Sequence, residues 1–111
     1  MPMFMAQFAY TPEAWSVLIH APQDRAAASA ALLQHFGGRL VGLYYTPGAD
    51  YDGFALFEAP DDAAAAAVEI ADLALGHLRS NRLVRVLSPD EMGSALRQAA
   101  TAPNIAPKSA R

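Results

Sequence analysis

A chain of 111 residues is long enough for one domain with a modest core. Its balance is apolar, 53% hydrophobic and only 17% charged, so part of the apolar surface is expected to be covered by another subunit. The net charge of −3 gives no attraction for nucleic acid or an anionic membrane surface, and the absence of cysteine excludes disulfides and thiol chemistry.

In chain order, Met3 to Tyr10 reads as a strand with Phe4, Phe8 and Tyr10 on one face and Met3, Met5 and Gln7 on the other. Thr11-Pro12-Glu13 opens a helix: threonine caps, proline suits the first helical position, and glutamate favours the positive end. Ala21-Pro22 interrupts it. A second helical segment restarts near Pro22 to Asp24, carries Ala28, Leu32 and Phe36 at spacings of four, and stops at Gly37-Gly38. Arg39 to Tyr45 and Tyr51 to Phe57 are apolar strands joined by the turn Pro47-Gly48-Ala49-Asp50.

Pro60-Asp61-Asp62 starts an alanine-rich helix from Ala63 to Leu75. That helix contains Glu69 and Asp72 and is too short to span a bilayer. Gly76 stops it, and Leu78 to Leu87 forms the last strand. Ser88-Pro89-Asp90-Glu91 is a capping box for a short helix with Met92, Ala95, Leu96 and Ala99 on one side. The domain is therefore expected over residues 1–100, with a flexible tail over 101–111. The opening residues lack the basic-then-apolar pattern of a secretory signal, so a cytoplasmic location is the expectation.

The order β-α-β-β-α-β plus a terminal helix predicts an α+β, ferredoxin-like domain. It has an antiparallel four-stranded sheet, helices on one face, and the first and third strands as central neighbours. The other face carries Met3 and Met5, or Phe54 and Leu56, with no helix to cover it. A homodimer, or a higher homo-oligomer, formed sheet against sheet is the expected solution.

Tyr44-Tyr45, Gly48, Tyr51-Asp52 and Glu58-Ala59-Pro60-Asp61-Asp62, with Arg79 and Ser88-Pro89-Asp90-Glu91, resemble the GYD domain family over roughly Met3 to Leu96. The namesake residues map onto Gly48, Tyr51 and Asp52, with Ala49-Asp50 standing where a single residue is expected. The resemblance implies membership of the dimeric α/β barrel superfamily, in which two sheets pack around a central space. Its relatives include cofactor-independent oxygenases, haem-handling enzymes and small-molecule binders. No established activity comes with the family name.

Candidate ligand-binding residues are Gln7, Tyr44, Tyr51, Asp52 and Arg79. A phenol and a carboxylate at Tyr51 and Asp52 supply a donor and a base, although consecutive strand residues face opposite ways. The alternative at Asp52 is a structural role in fixing the hairpin. Gln7 with one parity of the arginines Arg79, Arg82 and Arg85 would suit an anionic or carbonyl group.

His20, His35 and His77 are too far apart in sequence for a local metal site, and no metal or cofactor is called for. Met1-Pro2-Met3-Phe4 resembles the start of tautomerases that use a freed N-terminal proline as base, a match limited to those residues. The leading reading is a small homo-oligomer that binds a small molecule or serves a structural role. The alternative is a cofactor-free enzyme, oxygenase- or tautomerase-like, acting on a small carbonyl or aromatic compound.

Overall fold

The computed structural model describes residues 1–103 and 107. The remainder of the expected tail, 104–106 and 108–111, lies outside the described residues. The elements are β1 (Met3–Tyr10), α1 (Pro12–His20), α2 (Arg25–His35), β2 (Arg39–Tyr45), β3 (Gly53–Glu58), α3 (Asp62–Ala74), β4 (Leu78–Val86) and α4 (Pro89–Ala99). The strands form one four-stranded antiparallel sheet in the order β2-β3-β1-β4. This is the expected ferredoxin-like topology, with the first helical crossover split in two at Ala21-Pro22.

Each helix begins on a side chain that accepts from an otherwise unpaired backbone N–H. Thr11 Oγ1 accepts from Ala14 at 3.1 Å, Asp24 Oδ1 from Ala27 at 3.0 Å, and Asp61 Oδ1 from Ala64 at 2.8 Å. At α4 the capping box is complete: Ser88 Oγ accepts from the Glu91 N–H at 3.1 Å and Glu91 Oε1 from the Ser88 N–H at 3.0 Å. The Glu91 carboxyl is held below its ordinary pKa by those Ser88 backbone bonds and then by Arg85.

The core lies between the sheet and helices α2 and α3. Phe4 stacks on Phe57 at 5.6 Å, and Leu33, Ala65 and Val68 close over them. Burying each of the large side chains contributes roughly 1.5–3 kcal/mol of apolar transfer. A second cluster of Phe8, Tyr10 and Leu78 sits at the other end of β1, packed by Ala14, Leu18 and Leu43.

Strand β3 begins at Gly53 rather than Tyr51. Just before it, the Asp52 backbone bonds to β1 on one side and to the end of β2 on the other. Its N–H donates to the Phe8 carbonyl and its carbonyl accepts from the Thr46 N–H, both at 2.8 Å. Gly53 is buried, and a Cβ there would collide with the Tyr44 carbonyl and stand 2.7 Å from Phe8 Cζ.

The opposite sheet face carries no helix. The strand register sets Tyr44, Phe54, Gln7 and Arg82 in one row across it, and Gly42, Leu56, Met5 and Val84 in the next. Tyr44 lies flat over Gly42, with its ring 5.4 Å from Phe54. Helix α4 adds no buried residue and presents Met92 and Leu96 to solvent. Among the described residues no helix is long and apolar enough to cross a membrane.

Candidate functional site

Polar and ionisable groups converge on the helix-covered face of the sheet. A cavity of about 40 Å³ opens between β1, β4, α2 and α3, walled by Phe8, Leu32, Leu33, Phe57 and Val68. Into it project Tyr10 from β1, Arg25 from the start of α2, Glu69 and Asp72 from α3, His77 from the link to β4, and Asn81 from β4.

Helical periodicity places the two acids. Ala65, Val68, Glu69 and Asp72 follow the spacing of one face of α3, the face turned to the sheet. The helix then ends at Gly76, whose φ of 82° belongs to the left-handed region that glycine enters freely. That turn folds His77 back beside Asp72, with Nε2 3.6 Å from Oδ1. The His77 carbonyl accepts from the Thr11 N–H at 3.0 Å, which ties the histidine to the β1–α1 corner. Its ring lies 6.1 Å from that of Tyr10.

The electrostatics follow from burial. Glu69 is 8% exposed, and desolvation, reinforced by the Asp72 carboxylate and opposed by Asn81, pushes its carboxyl from the ordinary 4.5 up to about 7. Asp72 is also raised by burial, against the pull of His77 and Arg25. The Tyr10 phenol is raised by burial and by its hydrogen bond with Tyr45, at 3.2 Å between hydroxyls. Two buried oxygens, Glu69 Oε2 and Asn81 Oδ1, have no hydrogen-bond partner among the described residues. Orphaned buried acceptors are uncommon in folded proteins. A carboxyl that titrates near neutrality in an apolar cavity is able to hold or release a proton and to accept from a bound donor.

Beside the cavity lies an outer groove of about 200 Å³ between α1 and the end of α3. The groove is lined by Val17, Leu18 and Leu75 and shares Tyr10, Arg25 and His77 with the cavity.

The residues singled out from the sequence are divided by the fold. Gln7 and Tyr44 share a row on the helix-free face, and the arginine in that row is Arg82. Arg79 instead borders an open depression against α1, together with Asp52, Trp15 and Ile19. Asp52 acts as a staple: its Oδ2 accepts from the Tyr10 N–H at 2.8 Å and from Trp15 Nε1–H at 3.2 Å. It thereby joins the end of β1, the start of β3 and helix α1. Tyr51 takes part through its backbone carbonyl, which accepts from Thr46 Oγ1 at 2.8 Å, and it lines neither cavity nor depression. Pro2 lies at the far end of β1 from Tyr10, where its carbonyl accepts from the Ala59 N–H at 3.1 Å, and it lines neither the cavity nor the groove. Among the described residues no three histidines, cysteines or acids cluster as metal ligands do.

The converging set of Tyr10, Arg25, Glu69, Asp72, His77 and Asn81 was not foreseen as a site. One signal was legible: Glu69 and Asp72 occupy the apolar stripe of an otherwise alanine-rich helix, where a carboxylate is costly unless it serves a purpose. Arg25 and Asn81 carry no such signal, because only the fold brings α2 and β4 against that stripe.

Fold and site together define a small α+β domain of ferredoxin-like topology with a polar cavity beneath its helices. A family model described as GYD domain matches residues 4–96, and the chain belongs to the GYD domain family. Among solved structures it is similar to an uncharacterized NIPSNAP domain protein from Burkholderia xenovorans, at 14% identity and a TM-score of 0.44, over 94% of this chain and 100% of that one. No curated protein matches it.

Proposed function

We propose that the protein is a small-molecule-binding homodimer whose ligand site is the cavity beneath α2 and α3. The observation that carries this reading is the pair of buried acceptors, Glu69 Oε2 and Asn81 Oδ1, left without a partner among the described residues, in a cavity whose apolar walls also bear Tyr10, Arg25, Asp72 and His77. A few polar groups in an apolar hollow are the usual anatomy of a ligand site.

Self-association rests on the helix-free sheet face. Met5, Phe54, Leu56 and Val84 lie side by side there, with the half-exposed ring of Tyr44 at the margin. A second copy, laid sheet to sheet, removes this surface from water and supplies a covering layer that the described residues do not provide. The reading is of a cytoplasmic protein.

A second reading, proton transfer on a small carbonyl compound with Glu69 as base, is favoured by one observation: the Glu69 carboxyl sits at about 7, near the pH at which it would work.

A thermal-shift screen against small amines, alcohols, carboxylates, phenols and carbonyl compounds tests the proposal, since a ligand that binds only the folded state raises Tm. Ser29, which lines the cavity, provides the control: Ser29→Leu fills it. Ligand binding at this site predicts a class of compounds whose shift disappears in Ser29→Leu. A flat screen, or shifts that survive the filled cavity, rejects it.

A further inference from the structure

The inner cavity and the outer groove differ in character, and together they describe an occupant. The inner space of about 40 Å³ admits a polar head group and little more, whereas the groove offers about 200 Å³ against Val17, Leu18 and Leu75. The head group must satisfy the two unpartnered oxygens, and with Glu69 ionised both are acceptors. A hydroxyl brings one donor, too few for two orphaned oxygens, and a carboxylate brings none. A primary ammonium brings three donors and a positive charge.

The charges around the cavity point the same way. Asp72 has His77 at 3.6 Å and the Arg25 guanidinium nearby. Glu69 faces Asp72 along α3 and Asn81 on β4, with Tyr10 and Arg25 elsewhere in the lining, and has no cation bonded to it.

We propose that the site receives a small primary amine, its ammonium donating to Glu69 Oε2 and Asn81 Oδ1 and its apolar body lying in the groove along α1 and Leu75. This inference rests on the cavity being the ligand site and adds the chemistry of the ligand. Because the carboxyl of Glu69 is half protonated near neutral pH, arrival of the cation ionises it and expels its proton.

The test is calorimetric titration of the native protein with n-hexylamine, 1-hexanol and hexanoate at pH 8. The amine is expected to bind at least about tenfold more tightly than the alcohol, and Glu69→Gln to weaken the amine about tenfold or more, so that the amine loses its advantage over the alcohol. On the unmutated protein, titration at pH 6 to 7 in buffers of different ionisation enthalpy is expected to show net proton release on binding the amine. Equal or tighter binding of hexanol or hexanoate, no binding of the amine, or no proton release overturns the amine assignment. Should hexanol or hexanoate bind and be excluded by Ser29→Leu, the cavity remains the site and only the ligand class is wrong. Binding of every compound that persists in Ser29→Leu overturns both.

Discussion

Replacing Glu69 by glutamine isolates the most perturbed acid in the cavity without changing its shape. In the folded chain the carboxyl titrates at about 7, against 4.5 ordinarily. A folded-state pKa above the unfolded value means that the native state holds the proton longer. The contribution of Glu69 to stability is therefore fully present below about pH 4.5, falls as pH rises from there to about 7, and is lost above. At 1.36 kcal/mol per pH unit the loss reaches up to about 3 kcal/mol, because ionisation in the folded state places an uncompensated charge in the cavity.

Glutamine carries no charge at any of these pH values. Glu69→Gln is thus expected to match the native protein near pH 4 and to exceed it by up to about 3 kcal/mol at pH 8, on the order of 10 °C in Tm. Urea denaturation at fixed protein concentration, followed by far-UV circular dichroism from pH 4 to 8, measures both curves; the concentration must be held because association adds to apparent stability. Parallel curves for the two proteins, or a native protein that gains stability between pH 5 and 7 relative to the variant, would refute the burial argument.

Asp52→Ala removes the acceptor shared by the Tyr10 and Trp15 N–H groups and is expected to cost about 2–3 kcal/mol in chemical denaturation, with Asp52→Asn costing less because its amide oxygen still accepts. Gly53→Ala forces a Cβ against the Tyr44 carbonyl and the Phe8 ring and should cost roughly 1–3 kcal/mol by the same assay. Ser88→Ala breaks the capping box and should destabilise α4 by about 1 kcal/mol, seen as faster amide exchange at Glu91 and Met92 with little change in global unfolding, since α4 buries nothing. Met5→Glu puts a charge in the middle of the helix-free face and should convert a dimer to a monomer in sedimentation analysis while the fold is kept; a native protein that sediments as a monomer at micromolar concentration would remove the sheet-to-sheet interface.

The fold was legible because local signals and periodicity agreed. Thr11, Asp61 and Ser88 mark helix starts, Gly37 and Gly76 mark helix ends, and the alternation of Phe4, Phe8 and Tyr10 against Met5 and Gln7 separates the two sheet faces. The start of β3 was placed too early because Tyr51 and Asp52 lie before the ladder, with the Asp52 side chain tied to Tyr10 and Trp15, which no propensity reports.

The site was largely illegible for a different reason. Tyr10, Arg25, Glu69, Asp72, His77 and Asn81 come from separate elements and meet only through the crossovers. Gln7 and Tyr44 drew notice as polar groups on apolar strands, yet their row lies on the helix-free face, away from the cavity. The two acids on the buried stripe of the alanine-rich α3 are the part of the site that the sequence displays.

The central claim is that ligands enter beneath α2 and α3 and not elsewhere on the molecule. Nuclear magnetic resonance of ¹⁵N-labelled protein, titrated with the compound that gives the largest thermal shift, tests it most directly. The account predicts that the largest amide perturbations fall on Phe8, Glu69, His77 and Asn81. Perturbations centred on Met5, Tyr44 and Leu56 across the helix-free face would contradict it.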